Sequence, residues 1–168
     1  MARLVEVQIE GLDRLMDRSR NTGALIGKPL KRFFTRAAIS VQNHARRAAP
    51  VDTGRLRSSI AYDVDGRALP TWADIGPSVE YGASVEFGIG VYNVGPGGLG
   101  QRPLPTAAQL EGWARRHGAN PYLVARAIEK RGGVEPQPYM EPGFRAAERD
   151  IDTALNDCAR EIGEQWSG

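Results

Sequence analysis

The first pattern along the chain is an alternation of apolar and polar residues at positions 3–9. An alternation with a period of two is typical of a strand that has one buried face. The next segments predict a short helix over residues 12–19 and a loop over residues 21–27. The chain therefore opens with a strand and a short helix.

The clearest pattern is helical and runs from Pro29 to Ala49. Its apolar residues recur every three or four positions, the spacing that places side chains on one helix face. Proline suits the first helical turn, and Pro50 ends the helix because the residue before a proline disfavours helical geometry. The apolar positions are Leu30, Phe34, Ala37, Val41, Ala45 and Ala48.

Three further segments, 57–66, 70–77 and 80–88, read as short strands with a turn at Gly66. One apolar and one polar face are typical of antiparallel strands that pack on a helix. We therefore expect one small antiparallel sheet. In the last segment, the apolar positions are Tyr81, Ala83, Val85 and Phe87.

The second half of the chain predicts helices separated by Gly- and Pro-rich loops, of which residues 88–105 form the longest. Thr106 is a good N-cap for a helix that runs through Arg116. Pro121 opens another helix, which Gly132 stops. A long C-terminal helix follows, with apolar positions Phe144, Ala147, Ile151, Leu155, Cys158 and Ile162.

These elements predict an α+β fold in which a small antiparallel sheet is packed by a long amphipathic helix. A helical insertion and a C-terminal helix that covers another sheet edge complete it. Because 168 residues is close to the usual size of one domain, we expect a single domain over residues 1–168. The loop and helical insertion fall at about residues 89–135.

Composition narrows the class of protein mainly by exclusion. Cys158 is the only cysteine, so no internal disulfide is expected, and the thiol reads as a buried structural group. No segment approaches the roughly 20 apolar residues that span a bilayer, and the N-terminus does not read as a signal peptide. His44 and His117 lie far from each other and from Cys158, so neither a metal nor any other cofactor is expected.

The net charge of +2 hides an uneven distribution. Residues 1–67 hold 13 Lys/Arg and 7 Asp/Glu, whereas residues 68–168 hold 9 and 13. Such asymmetry either makes one face basic and another acidic, or reflects only solvated helix faces.

Two patterns suggest chemistry on paper. Residues Gly95–Gly100 match the letters GxGxxG, but Pro103 and Pro105 forbid the helix that would have to follow such a phosphate-binding turn. His44, Asp52 and Glu86 could be assembled into an acid/base site, yet no group of residues fills the roles that catalysis requires. We therefore expect no enzyme activity.

The segment after the long helix is the most distinctive part of the chain. Pro50 ends the helix, Asp52 and Thr53 carry side chains that bond to nearby backbone in turns, and Gly54 permits a positive φ. The following residues, up to Ile60, lead into a strand. The segment is therefore predicted to be a rigid corner between a helix and a strand.

This corner and a second motif, Tyr81–Gly88, resemble a family of tail-component proteins of long-tailed double-stranded DNA bacteriophages. The later part, residues 113–139, also resembles members that carry a helical insertion. Gly82, Ser84 and Ile89 depart from the residues common in the family. The residues that match the two motifs and are expected to serve assembly are Pro50, Asp52, Thr53, Gly54, Leu56, Ser59, Ile60, Tyr81, Glu86, Phe87 and Gly88.

The resemblance implies a virion structural protein at the head–tail junction or upper tail, made in the host bacterial cytoplasm, which completes the tail or joins it to the DNA-filled head. The implied partners are further copies in a ring, together with neighbouring head-closure, tail-terminator or tail-tube proteins. The family's properties imply neither a cofactor nor catalysis, and no membrane partner is expected.

Two other hypotheses stay open from the residues. The basic stretch Lys28–Arg57 is typical of a face that contacts DNA phosphates without reading sequence, and tail termination or head closure would impose similar constraints on a small protein. For ring assembly, a basic face of one copy would meet an acidic face of the next. The loop at residues 88–105 would act as a docking arm.

Overall fold

The computed structural model describes residues 5–6, 23–93 and 103–167. These fall into two compact units, one formed by Met1–Val79 with Tyr139–Gly168 and the other by Glu80–Pro138. The predicted short helix at residues 12–19 lies outside the described residues. In chain order the elements are β1 (Val5–Glu6), α1 (Gly23–Ala48), α2 (Arg55–Ser59), β2 (Ile60–Val64), β3 (Ala73–Pro77), α3 (Gly82–Phe87), β4 (Ile89–Gly90), α4 (Ala107–Arg116), α5 (Pro121–Arg131), β5 (Gly133–Val134) and α6 (Met140–Ser167).

Helix α1 is the central element of the first unit and begins six residues earlier than predicted. Pro29, taken from the sequence as the first turn, lies inside the helix and is almost fully buried. Its missing N–H removes one hydrogen bond, but Ile26 and Leu30 bury their side chains on either side of it and extend the apolar stripe. The predicted loop at residues 21–27 is therefore wrong from Gly23 onward.

A three-stranded antiparallel sheet packs against α1, with strand order β1-β3-β2. Ile60 pairs with Pro77 and Val64 with Ala73. This confirms the predicted small sheet, although the strands are shorter than expected. Residues 57–59, predicted as strand, close the short helix α2 instead.

The predicted strand at residues 80–88 is wrong, because Gly82–Phe87 forms the helix α3. Its buried positions are Gly82, Ala83 and Glu86, a spacing of three and four residues that fits one helix face. The apolar alternation put Tyr81 on the apolar face of the predicted strand, but its side chain is 43% exposed. With only six helical residues, a period of 2 and a period of 3.6 are hard to distinguish.

Helix α6 packs along α1 rather than over a sheet edge, contrary to prediction. The two helices approach closely at Gly143, where an added Cβ would lie 2.6 Å from the Ala45 backbone nitrogen. After Met140, which is 1% exposed, the buried stripe of α6 is made of small residues and is rotated from the predicted one, so that Leu155 is 41% exposed. The small buried members are Gly143, Ala147, Ala154 and Cys158.

The predicted burial of the only thiol is confirmed. Cys158 is 5% exposed and free of any disulfide. Burial raises the pKa of this thiol, and nearby Glu161 adds to the rise. The group is thus held in its neutral form, as expected for a packing residue.

Ion pairs line the outer side of the contact between α1 and α6. Arg32 pairs with Glu161, and Arg36 donates to Asp157 over 2.9 Å. The hydrogen bond from Arg36 holds the pKa of Asp157 below its ordinary value. Helix α1 carries six Lys/Arg and no Asp/Glu, while α6 carries seven Asp/Glu and three Lys/Arg. Part of the uneven charge along the chain is therefore neutralised by ion pairs between these two helices.

The loop between β2 and β3 is organised by the buried carboxylate of Asp65. It accepts hydrogen bonds from the backbone N–H groups of Arg67 and Thr71, both over 3.0 Å, and from the Arg67 guanidinium. Asp65 is 3% exposed. One side chain thus fixes both ends of the loop.

The second unit contains α3, a two-stranded sheet of β4 and β5, and the pair of helices α4 and α5. Thr106 and Gln109 form a capping box at the start of α4. Asn120 caps α5, and Gly132 ends it in the left-handed conformation. The two predicted helices are thereby confirmed. The predicted single domain with an insertion at about 89–135 stays a prediction. No helix within the described ranges is both long and apolar enough to cross a membrane.

We predict that Gly143→Ala destabilises the protein by about 1–3 kcal/mol, because the new methyl group must push α1 and α6 apart. This cost outweighs a gain of about 1 kcal/mol in helix propensity. Gly163→Ala on the same helix meets open space and should be neutral or stabilising. Urea unfolding followed by circular dichroism distinguishes the two. A Gly143→Ala protein that is as stable as the Gly163→Ala protein contradicts the close approach.

A second prediction concerns pH. Hydrogen bonds from the Arg67 side chain hold the pKa of Asp65 well below its usual range, against an opposing effect of burial, and the backbone N–H bonds add to the lowering. A lowered folded-state pKa contributes stability above the unfolded pKa, about 3.9, which is lost as pH falls through the folded value. Asp65→Asn should therefore lower the urea midpoint at pH 7, with a difference that narrows below about pH 4.

The matched control is Asp63→Asn, an exposed position on β2. Its urea midpoint should follow that of the unmodified protein at every pH. Equal midpoints for Asp65→Asn and Asp63→Asn at pH 7 would show that the Asp65 carboxylate does not stabilise the loop.

Candidate functional site

The first motif forms the corner predicted from the sequence. Its base is buried: Ala49 is 3% exposed, Leu56 6% and Ile60 0%. Its tip is open to solvent, since Val51 is 58% exposed and both Asp52 and Thr53 are classed as exposed. The corner therefore presents a short exposed segment on a buried base.

Local hydrogen bonds fix the backbone of the corner. Gly54 adopts a φ of 77°, the left-handed conformation expected at this position. Ser58 N–H donates to the Gly54 carbonyl over 2.9 Å, and Ser59 Oγ donates to the Leu56 carbonyl over 2.7 Å. The strand predicted directly after Gly54 is instead the single turn α2, because these bonds close a helical turn first.

Two side chains of α1 hold the corner from the other side, and the sequence reasoning missed both. Gln42 Nε2 donates to the Ile60 carbonyl over 2.9 Å, and Arg46 Nη2 donates to the same oxygen over 2.7 Å. Gln42 is a buried polar residue on an otherwise apolar helix face. Gln42 is not among the apolar positions predicted for this helix, so the periodicity gave no signal that its side chain would be buried.

The Ile60 carbonyl needs these donors because of its place in the sheet. Ser78 N–H bonds to the Ser59 carbonyl over 3.0 Å, so the next pair, Ile60 with Pro77, is a non-hydrogen-bonded pair of the antiparallel ladder. The Ile60 carbonyl therefore points away from β3, to the outer edge of β2, where no further strand lies among the described residues. Gln42 and Arg46 thus satisfy a carbonyl on the unpaired edge of β2 and connect that strand to α1.

The second motif lies in the other compact unit, on and around α3. Tyr81 precedes the helix and Glu86 is 5% exposed within it. Gly88 ends the helix at a φ of 75°, where an added Cβ would lie 2.8 Å from the Val134 carbonyl oxygen. Phe87 is half-buried. This motif therefore contributes mainly to packing, with Tyr81 as its most exposed side chain.

The acid/base group imagined from the sequence is not assembled within one unit. His44 Nε2 lies 3.7 Å from Asp150 Oδ2 on α6, and Ser40 Oγ donates to the same carboxylate oxygen. Asp52 lies at the exposed corner, while Glu86 lies in the other unit. Ser40 therefore bonds to a carboxylate rather than to an imidazole, which leaves His44 outside the arrangement that activates a serine.

No group of three or more His, Cys, Asp or Glu in the part of the chain that the structure describes could hold a metal ion. The GxGxxG letters at residues 95–100 lie outside the described residues, as does most of the loop expected to act as a docking arm.

The basic stretch Lys28–Arg57 keeps only part of its charge free for a partner. Arg32 and Arg36 are paired with acidic residues of α6. Arg46 and Arg57 donate to backbone carbonyls of Ile60 and Ala49. Within the part of the chain that the structure describes, the exposed cations of this stretch that have no such bond are Lys28, Lys31, Arg47 and Arg55.

Part of the chain is similar to a known protein family. Residues 13–88 match the family model HK97-gp10-like, described as "Bacteriophage HK97-gp10, putative tail-component". This range includes the corner and the second motif, so the resemblance found from the sequence is confirmed over it. The match supports a structural protein of a bacteriophage virion. No curated protein and no solved structure matches the chain.

We predict that Gly54→Ala destabilises the corner by about 1–2 kcal/mol, because a Cβ is strained at positive φ. No atom lies within 4 Å of the added group, so the cost is conformational rather than a clash. Gly54→Asn should cost less, since asparagine enters this region more readily. Gly66→Ala, in open space without a positive φ, is the control. Equal stability of Gly54→Ala and Gly66→Ala would rule out a strained corner.

Proposed function

We propose that this protein is a structural component of a phage virion at the head–tail junction, where it completes the tail or joins it to the DNA-filled head as part of a ring. The observation that carries the proposal is the corner: a family motif whose backbone is fixed by buried Leu56 and Ile60 while Val51 and its neighbours face solvent. A rigid exposed tip suits a contact with a neighbouring subunit, because little conformational freedom is lost on binding.

The assembly would involve further copies of the chain and neighbouring head-closure, tail-terminator or tail-tube proteins. Its place would be the virion, after synthesis in the host bacterial cytoplasm. The role is structural rather than enzymatic, in line with the description of the matched family as a tail component. Tail termination and head closure remain alternative positions within the same junction.

A non-specific DNA-binding module is the second candidate. It rests on the cations of α1 that have no ion pair with any described residue, such as Lys31 and Arg47. Pairing of Arg32 and Arg36 with α6 weakens this candidate relative to the first. Tight retention of the isolated monomer on DNA at low salt, with a steep dependence on salt concentration, would favour it. In a ring, contact with packaged DNA would be weak and passive.

Electron micrographs of particles made without this protein test the position. Separate full heads and full tails are the expected result and indicate joining or completion. Abnormally long tails would indicate termination instead. Normal, infectious particles would contradict any essential role at the junction.

The corner itself is tested with Val51→Asp. Because Val51 is 58% exposed, the substitution should change stability by no more than about 0.5 kcal/mol. It should nevertheless reduce the yield of infectious particles at least about tenfold, the effect of losing roughly 1.4 kcal/mol at an interface. Ser78→Asp, an exposed residue outside both motifs, is the control and should complement fully. Full complementation by Val51→Asp would show that the exposed tip of the corner is not needed for assembly.

A further inference from the structure

The outward face of α5 exposes large apolar side chains. Tyr122 is 74% exposed and Leu123 66%, and no side chain of this helix is buried. Helices of globular proteins usually bury one apolar stripe. Two large apolar residues at successive, almost fully open positions therefore indicate a surface that another molecule covers.

Unpaired positive charges continue the same face. Arg126 follows Tyr122 by four residues and Lys130 follows Arg126 by four, so the three side chains are neighbours along one stripe. Both cations are exposed and have no ion pair or hydrogen bond among the described residues. We call Tyr122, Leu123, Arg126 and Lys130 the hairpin face.

Helix α6 carries a surface with the opposite charge. Its inward acidic residues, such as Asp157 and Glu161, pair with α1. Its outward stripe is different: Glu148 and Asp152 are exposed and have no partner among the described residues, and Leu155 beside them is 41% exposed. We call Glu148, Asp152 and Leu155 the α6 face.

The cations of α6 do little to neutralise this face. Arg145 pairs with Glu141, and Arg160 pairs with Asp157. Arg149, one position round the helix from Glu148, is the exception, since its side chain has no acidic partner among the described residues. Two carboxylates against one neighbouring guanidinium leave the α6 face acidic.

We propose that the hairpin face of one copy binds the α6 face of a second copy. Each face has exposed apolar residues at one end and two charges beside them, and the charges of the two faces are opposite. Complementary charge sets register and partner choice at an interface. Both halves of the contact are present in one chain, so the fitting partner is another copy. Because the two surfaces differ, each copy keeps one free after binding, and repeated contacts can close into a ring.

This inference rests on the proposed ring and specifies its subunit contact. It also replaces the contact expected from charge along the sequence. A basic face of one copy was expected to meet an acidic face of the next, but Arg32 and Arg36 of α1 are paired with acidic residues of the same chain. Lys28, Lys31 and Arg47 of α1 also stay exposed, but only on α5 do the exposed cations continue a face that carries Tyr122 and Leu123.

Charge reversal of each face tests the contact in the full-length protein. The hairpin variant carries Arg126→Glu and Lys130→Glu, and the α6 variant carries Glu148→Lys and Asp152→Lys. Sedimentation velocity and mass photometry should show each variant as a monomer, with self-association weakened at least about 100-fold. A chain with all four substitutions should assemble again, because the charges are then opposite once more.

The control is Lys28→Glu with Lys31→Glu on α1, which changes the net charge by the same amount as the hairpin variant and should assemble like the unmodified protein. Unchanged urea midpoints verify that the exposed substitutions leave the fold intact. Unmodified protein that stays monomeric overturns the ring and this contact together. A ring that survives both face variants overturns this contact alone. Failure of the fourfold variant to assemble would show that the two faces do not bind each other.

Discussion

The close contact between α1 and α6 is the constraint on which the first compact unit depends. Helix α1 packs against the sheet and against α6, so it has two buried sides and little freedom to shift. The absence of a side chain at Gly143 lets the α6 backbone lie directly on Ala45. Beyond this point the buried residues of α6 are small, which keeps the helices close over their length. Ion pairs at the outer side, such as Arg36 with Asp157, then favour one register.

Much of this architecture could be predicted because long periodic segments carry a strong signal. The helix ending at Pro50, the caps at Thr106 and Asn120 and the left-handed Gly54 all follow from local chemistry. The misread segments have more than one cause. Gly82–Phe87 is too short for its period to be distinguished. The buried stripe of α6 follows the small residues that fit α1, so the larger Leu155 lies outside it.

The candidate site shows the same limit. The rigid corner, with Gly54 at a positive φ, could be inferred from the motif itself. The roles of Gln42 and Arg46 could not, because they depend on the pairing of β2 with β3 and on the side of the ladder to which Ile60 turns its carbonyl. Charge was equally ambiguous, because a sequence does not say whether a basic helix meets its acidic partner within the chain or on another molecule. In this protein, two arginines of α1 pair with acidic residues of α6 within the same chain.

The capped carbonyl of Ile60 also limits how copies of this protein can meet. A strand edge with free carbonyl and N–H groups is a template on which the backbone of any other chain can add, without regard to its side chains. At the start of β2 that first acceptor is already occupied by Gln42 and Arg46. Sheet growth from copy to copy is thereby disfavoured at its first step. A contact between two copies at this edge would then have to be made by side chains, which can be selective where backbone pairing cannot.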